Sequence, residues 1–516
     1  MKKKAPKLSK KALSVLGQGE NDRGSKRSVS TEDFMEDGAV EEESGDRWLG
    51  SDLAKALRFY QKAYVSYKTA VSIPTSDKAL LLDAYYNAAR LLFHVFIQYG
   101  KTDGVNVHRL TNVGEVLTGD SNSVVQNIFS IVEAHESALQ VDLTNPPLDL
   151  QFNAALVYTE AIEEAETLSE DLVYKAMALF QEVLRRQVLE FQDFLKFMLE
   201  PEAPQSQGLD VPLEDQKYSS SKTMQPPDIL DTVVSAYGLV QTILESVTSS
   251  AGSLEEAVSL VGPFVQTMEE VATEIVLKYA EQNNQQTDIV ASIESDQLHE
   301  YLISKATCQA LSTDSIEQAA ASFDGDLPDV PERYMLAADA IDTILDRHDV
   351  HLNPQAIDAE TYWQALTKMN VYFKKAQELL SARNQEIKTK NLTNTELGLG
   401  ALIAQICKVY IARSDIDLQR SQLDLEVAQK SSSVLLNNAK AFLKSSMNMS
   451  KSSGGLREKA VEKAQRDRRR YEAVSRLCVL EGKLDTDELN RIMGEGMWEE
   501  DLATYKEFWY FQKFFQ

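Results

Sequence analysis

Hydrophobic and polar positions alternate with the period of an α-helix over most of the chain after residue 47. In the first such run, apolar side chains recur three or four residues apart, which places them on one helical face. They are Leu53, Leu57, Tyr60, Tyr64, Tyr67 and Val71. Pro74 ends the run, because proline has no backbone N–H to donate into a helix. The pattern predicts an amphipathic helix over residues 53–71.

Similar runs, separated by short polar or proline-containing breaks, predict further helices in both halves of the chain. In chain order they cover residues 77–99, 124–140, 150–166, 172–199, 229–247, 254–282, 288–311, 315–323, 331–346, 359–380, 395–444, 456–481 and 499–515. The 516 residues include only 22 glycines and 13 prolines, whereas sheet proteins use many of both in their turns. We therefore predict an all-α fold of antiparallel helix pairs.

Two segments depart from the helical pattern. Residues 1–46 are first basic and then acidic and are almost free of aromatic side chains, which predicts a disordered tail. Residues 201–227 contain five prolines, which predicts a linker. The predicted organisation is the tail, an N-terminal helical domain over 47–200, the linker, and a C-terminal helical domain over 228–516 that ends in an aromatic helix.

One short motif occurs twice. Tyr86-Asn87-Ala88-Ala89 is followed 66 residues later by Phe152-Asn153-Ala154-Ala155. Two helical repeats of about 34 residues would give nearly this spacing. The recurrence therefore indicates an array of helix pairs rather than a bundle without internal symmetry.

Around this motif the chain resembles the tetratricopeptide-repeat superfamily. The first helix of a family repeat carries a large residue, two small ones and another large one, as at Tyr85, Ala88, Ala89, Leu92 and again at Ala154, Ala155, Tyr158. The second helix carries alanine, an aromatic residue, alanine and a terminal proline, which match Ala63, Tyr67, Ala70, Pro74 and in part Ala176 and Phe180. The resemblance covers residues 50–195, with longer connections than the family has. It implies a solenoid with a concave, protein-binding face.

Charge is distributed unevenly. The chain carries a net charge of −26. Residues 1–30 contain nine basic and two acidic side chains, and residues 31–46 contain eight acidic side chains and no basic one. The acidic remainder is expected to attract basic proteins and to repel nucleic acids and anionic membranes, although the same charge also keeps a protein soluble without any partner. The N-terminal lysines suit a nuclear import signal, so we expect a cytoplasmic or nuclear protein.

The sequence gives little indication of catalysis. It contains no Gly-rich phosphate loop, no Gly-x-Ser-x-Gly and no His-Glu-x-x-His. Cys308, Cys407 and Cys478 are too far apart for a zinc motif. His348 and His351 are the only close histidine pair, and Asn353-Pro354 follows them, so we expect a helix end there and predict no metal and no cofactor. No apolar run reaches the roughly 20 residues that span a bilayer.

The candidate partner-binding residues fall into two sets. Tyr60, Tyr64, Asn87 and Asn153 are predicted to line the concave face, where asparagine can bond a client's backbone or, alternatively, only a neighbouring helix. The second set is acidic: Glu160, Glu163 and Glu164. They form either a solvated helix face or a clamp for a client's lysine or arginine.

Two further candidates lie near the C-terminus. Trp509 and Phe511 belong to a dense aromatic segment, which either caps the last repeat or occupies a groove. The helix over 456–481 is the one basic patch in the predicted folded body, with arginines at Arg466, Arg468, Arg469 and Arg470. They bind RNA or an acidic partner, or they pair with the protein's own acidic surface.

These observations favour a binding protein. The leading hypothesis is an adaptor or dedicated chaperone that holds a basic client, for example a ribosomal or other nucleic-acid-associated protein, by analogy with tetratricopeptide chaperones. The second is a structural subunit of a larger complex in RNA processing or translation. An enzyme comes third, because no catalytic constellation is present.

Overall fold

A computed structural model describes residues 30–165, 167–199, 223–247, 253–280 and 290–515. These residues form 18 α-helices and no β-strand, which confirms the predicted all-α fold. The basic part of the predicted tail, residues 1–29, and most of the predicted linker, residues 201–222, lie outside the described residues.

In chain order the helices are α1 Thr31–Leu49, α2 Leu53–Ser72, α3 Lys78–Val95, α4 Ile128–Val141, α5 Leu148–Glu163, α6 Glu170–Leu199, α7 Pro226–Glu245, α8 Leu254–Tyr279, α9 Ser295–Leu311, α10 Ile316–Ser322, α11 Pro331–Arg347, α12 Ala359–Thr389, α13 Leu399–Arg420, α14 Glu426–Met449, α15 Ala460–Leu480, α16 Thr486–Met493, α17 Glu499–Glu507 and α18 Trp509–Gln512. A π-helical turn, Phe96–Gly100, extends α3.

Helix α1 corrects the prediction that residues 1–46 are disordered throughout, since residues 31–46 are helical. The side chain of Ser30 accepts a hydrogen bond from the backbone N–H of Asp33, and Asp33 bonds back to Ser30. This reciprocal arrangement satisfies two N–H groups that a helix start leaves free. The acidic composition of residues 31–46 predicted disorder, although this segment forms a well-capped helix.

Two glycines let α1 pack closely on α2. A Cβ atom at Gly38 or Gly45 would come within 2.4 Å of the ring of Tyr67 or Tyr60, respectively. The glycines are seven residues apart and therefore lie on the same helical face. Close packing follows from this narrow glycine face rather than from an apolar stripe, which is why the hydrophobic pattern did not predict α1.

Most consecutive helices contact each other along the chain, as expected for stacked pairs. Helices α3, α5, α7, α9 and α11 also contact one another in succession and form a row. One hydrophobic core runs continuously from Leu53 to Ala428. It crosses the predicted boundary at 201–227, where α5 and α6 both contact α7, so the two predicted domains share one solenoid-like core.

The buried side chain of Arg347 joins three helices of this row. It is 5% exposed and lies in the last turn of α11. Its guanidinium donates to the backbone carbonyls of Leu244 at 2.9 Å and Leu311 at 2.7 Å. These carbonyls belong to the last turns of α7 and α9, where no helical N–H is available. One side chain thus satisfies the ends of two neighbouring helices.

The C-terminal third contains two corrections. The predicted helix over 395–444 is two helices, α13 and α14, separated by residues 421–425. No glycine or proline marks this turn, and the buried side chain of Leu423 continues the apolar pattern through it. The predicted helix over 499–515 is likewise divided, because Phe508 adopts an extended conformation between α17 and α18. Helix α16 was not predicted.

Candidate functional site

The two tyrosines predicted to line a concave face are buried. Tyr60 is 0% exposed and donates a hydrogen bond to Asp46 of α1 at 2.8 Å. Tyr64 is 7% exposed, and its hydroxyl donates to the backbone carbonyl of Ser121 at 3.3 Å. The prediction that they face an open groove is wrong, because α1 and the loop before α4 cover this side of α2.

The two asparagines bond within the protein. Asn153 donates to the hydroxyl of Tyr86 at 2.6 Å and so joins α5 to α3. Asn87 donates to the backbone carbonyl of Asp83 in its own helix at 2.8 Å. The alternative interpretation, in which an asparagine bonds a neighbouring helix, is confirmed for Asn153. Asn87 supports only its own helix.

The predicted acidic clamp holds a lysine of this chain. Lys101 Nζ lies 3.3 Å from Glu160, 3.1 Å from Glu163 and 2.9 Å from Glu164. Burial lowers the pKa of Lys101, but hydrogen bonds to Glu164 and Glu163 and the charge of Glu160 raise this pKa overall. The three glutamates do form a cation clamp, and Lys101 occupies it.

Helix α15 directs most of its arginines into internal ion pairs. Arg466 bonds Glu458 at 2.9 Å and Arg468 bonds Asp501 at 2.7 Å. Arg469 bonds Glu472 at 2.6 Å and also pairs with Asp103, 366 residues away in sequence. These contacts confirm that the helix pairs with the protein's own acids. Of the four candidate arginines, Arg470 is the exposed one.

The aromatic C-terminus closes a second hydrophobic core, formed with α13, α14 and α15. Phe511 is 0% exposed, and its ring lies 4.9 Å from that of Tyr505. Trp509 is half-buried, and its backbone N–H donates to the carbonyl of His351 at 3.4 Å. The segment therefore covers the C-terminal helices of its own chain, as a cap does.

A cavity of about 260 Å³ lies between α11, α12, α13, α15 and α18. Charged side chains of both signs dominate one part of its wall: Asp339, Asp342, His351, Lys408, Asp415, Arg469, Glu472 and Arg476. Buried charges are stable only when they are paired. This cavity brings these eight ionisable side chains together, and it is the candidate site.

Arg476 and Asp415 form the central pair of the cavity, with guanidinium-to-carboxylate distances of 3.0 and 3.1 Å. Arg476 also donates to the hydroxyl of Tyr505 at 2.6 Å. Burial lowers the pKa of Arg476, yet the charge of Asp415 raises this pKa overall. Arg476 is therefore a permanent cation in the wall.

Asp339 on α11 lacks such compensation. Burial raises the pKa of Asp339 to about 6, and the nearby charge of Lys408 only partly opposes this. Three residues further on, Asp342 lies 3.1 Å from His351 Nε2, and Asp346 lies 3.2 Å from the same nitrogen. The other histidine of the predicted pair, His348, is exposed.

The sequence interpretation had missed the two aspartates as partners of His351. The available signal was the spacing Asp342-x-x-x-Asp346, which puts both carboxylates on one face of α11. Arg476 and Tyr510 line the same cavity but belong to helices far from α11 in sequence, so no local pattern indicated them.

Comparisons with known proteins give two matches. A family described as "YNL193W C-terminal domain" matches residues 327–508, a range that contains every charged residue of the cavity wall. The chain is also similar to the uncharacterized protein YNL193W of Saccharomyces cerevisiae, with 23% identity over 443 residues, which is 76% of this chain and 77% of the yeast protein. No solved structure matches the chain. None of the described helices is long and apolar enough to cross a membrane.

Proposed function

We propose that this chain is a helical adaptor or dedicated chaperone that holds a basic segment of another protein on an acidic surface. The observation that carries the proposal is how its charge is distributed. Removing the +7 of residues 1–30 from the total of −26 leaves −33 on residues 31–516. Most arginines of α15 pair internally, and the negative excess of the chain would attract a basic partner.

A groove between α1 and α2 is the surface best suited to such a segment. It has a volume of about 790 Å³. Val40 and Val65 are 55% and 47% exposed there, and the acids Glu41 and Glu115 stand beside them. Apolar contacts with flanking acids suit a client helix that carries both leucine and lysine or arginine. Arg58 and Lys62 on the same wall would restrict where the client's cations can lie.

We further infer that α3 to α6 are two degenerate tetratricopeptide-type repeats. The two Asn-Ala-Ala motifs lie on α3 and α5, which contact each other. Ala89, Ala154 and Ala155 are buried, as the small positions of closely packed repeat helices are. The hydrogen bond from Asn153 to Tyr86 joins the two motif helices.

The groove can be tested with a labelled peptide of alternating leucine, lysine and arginine, its binding followed by fluorescence anisotropy at rising NaCl. We expect wild-type protein to bind it, with affinity falling as salt screens the acids. The double variant Glu41→Lys/Glu115→Lys should weaken binding at least about tenfold, equivalent to roughly 1.4 kcal/mol.

The matched control is Glu274→Lys/Glu426→Lys, which makes the same change in net charge at acids that are 64% and 81% exposed on α8 and α14. The control should retain nearly wild-type affinity. If both double variants lose affinity equally, only the total charge matters and the groove is not the site. Affinity purification from the native cells, washed at rising salt, would then identify the client.

A second candidate function, a structural subunit of a larger complex, is favoured by a different feature. Helix α6 exposes Leu189 (45%), Phe197 (76%) and Met198 (40%) near its C-terminal end. Exposed apolar side chains of this kind are typical of a permanent interface. A subunit of this type should aggregate when purified alone and should keep its partners through high-salt washes, whereas a chaperone should be soluble alone.

A further inference from the structure

We propose that Asp342, Asp346 and His351 form a binding site for a divalent transition-metal ion such as Zn²⁺. Each residue offers one ligand atom, and the three atoms lie within 4.8 Å of one another. The site shares no residue with the α1–α2 groove.

Local structure brings the three side chains together. Asp342 and Asp346 are four residues apart on α11 and therefore occupy the same face. After the helix ends, Asp349 adopts a left-handed conformation with φ of 53°. The N–H of Val350 then bonds back to the carbonyl of Leu345 at 3.2 Å. This turn reverses the chain and places the His351 ring over the two carboxylates.

Two of the three pairs of ligand atoms already lie near the separation that a metal requires. The two carboxylate oxygens lie 3.1 and 3.2 Å from His351 Nε2. Two ligand atoms that are each about 2.1 Å from a tetrahedral Zn²⁺ are roughly 3.4 Å apart. For these two pairs an ion needs shifts of only a few tenths of an ångström, and the third pair, the two carboxylate oxygens, lies within 4.8 Å. Without a metal, a proton on Nε2 makes the same two contacts.

The aromatic C-terminus holds the histidine in place. The ring of Phe508 meets that of His351 edge-on, with centroids 6.2 Å apart. Trp509 donates its backbone N–H to the His351 carbonyl, and the side chain of His351 is 13% exposed. A ligand whose orientation is fixed by packing loses little entropy when a metal binds.

The donor set and its exposure indicate the class of ion. Imidazole nitrogen suits zinc, iron, nickel and copper, whereas calcium and magnesium prefer oxygen donors alone. The side chains of Asp342 and Asp346 are 44% and 63% exposed, so an ion can enter from solvent. Three protein ligands leave further coordination positions open to water.

The test is Zn²⁺ binding by isothermal titration calorimetry, at about pH 8 where most free imidazole is neutral, with full-length protein freed of metal by chelator. We expect one Zn²⁺ per wild-type chain. Asp346→Asn and His351→Ala should each weaken binding at least about tenfold.

His348→Ala is the matched control, because this histidine lies three residues away and is exposed. It should bind Zn²⁺ like wild type. Thermal denaturation of all variants checks folding, and Asp346→Asn is the safer variant because its side chain is largely exposed. No binding by wild type, or equal binding by wild type and both site variants, would overturn the proposal and leave the three residues as a proton-bridged ion cluster.

Discussion

Replacing Arg347 by alanine should be among the most damaging single changes to the solenoid. Its guanidinium supplies the hydrogen bonds to the Leu244 and Leu311 carbonyls at the ends of α7 and α9. In Arg347→Ala both carbonyls remain buried without a donor, and each such loss costs about 1–3 kcal/mol. The bond to Asp314 adds little, because that carboxylate is 49% exposed.

We therefore expect Arg347→Ala to lower the free energy of unfolding by about 2–6 kcal/mol. Urea denaturation followed by circular dichroism would measure the loss, and hydrogen exchange would locate it in the last turns of α7 and α9. Arg347→Lys should be intermediate, because an ammonium cannot reproduce the planar fork of guanidinium.

The surface arginine Arg383 provides the control. It pairs with Glu386 and is 47% exposed, so Arg383→Ala should change the free energy of unfolding by no more than about 0.5 kcal/mol. If Arg347→Ala lost equally little, and exchange at the ends of α7 and α9 stayed at the wild-type rate, then water or other donors replace the guanidinium. The argument that this side chain joins the row would then be refuted.

Three further predictions follow from other contacts. Gly45→Ala places a Cβ atom within 2.4 Å of the Tyr60 ring and should destabilise α1 by about 1–3 kcal/mol. Limited proteolysis would detect this as faster cleavage of α1. The control is Gly50→Ala, which should leave the cleavage rate unchanged because a Cβ atom there has no neighbour within 4 Å. Burial raises the pKa of Asp339 to about 6 from the ordinary value of 3.8, so its charged form destabilises the fold at neutral pH. Asp339→Asn should therefore raise the free energy of unfolding, measured by urea denaturation, by at most about 3 kcal/mol. Wild type should therefore gain stability as pH falls through about 6, and the variant should lose this gain. Lys101→Met should leave three glutamates facing one another and lower the melting temperature more at low than at high salt.

Local patterns predicted the helices well where burial follows an apolar stripe. Leu57, Tyr60 and Tyr67, assigned to one face of a helix from their spacing, are all buried on α2. The same reasoning failed for α1, whose contact face consists of Gly38 and Gly45. It also failed between α13 and α14, where buried Leu423 carries the apolar period through a turn. Hydrophobic periodicity indicates which positions are apolar, but it predicts neither close packing of two backbones nor a change of chain direction.

Local sequence patterns could not predict the candidate site either, but the cause is different. Its wall combines α11, α13, α15 and α18, and one of its arginines, Arg469, pairs with Asp103 from the other half of the chain. A sequence shows that such charges exist but not which of them meet. The residue types were nevertheless informative, since pairing with the protein's own acids was one of the two alternatives that the sequence offered for the basic helix, and it is the one observed for Arg466, Arg468 and Arg469.

That pairing constrains any partner. Helix α15 lies between the shared solenoid core and the aromatic cap, and its arginines contact acids from the loop after α3, from α13 and from α17. A nucleic acid that competed for these guanidinium groups would have to break partly buried ion pairs and leave their carboxylates uncompensated, which is strongly unfavourable. A basic protein meets no such cost, because it can bind exposed acids that have no structural role. The internal use of positive charge is thus an argument for the basic protein partner that we propose, and against a nucleic acid bound through α15.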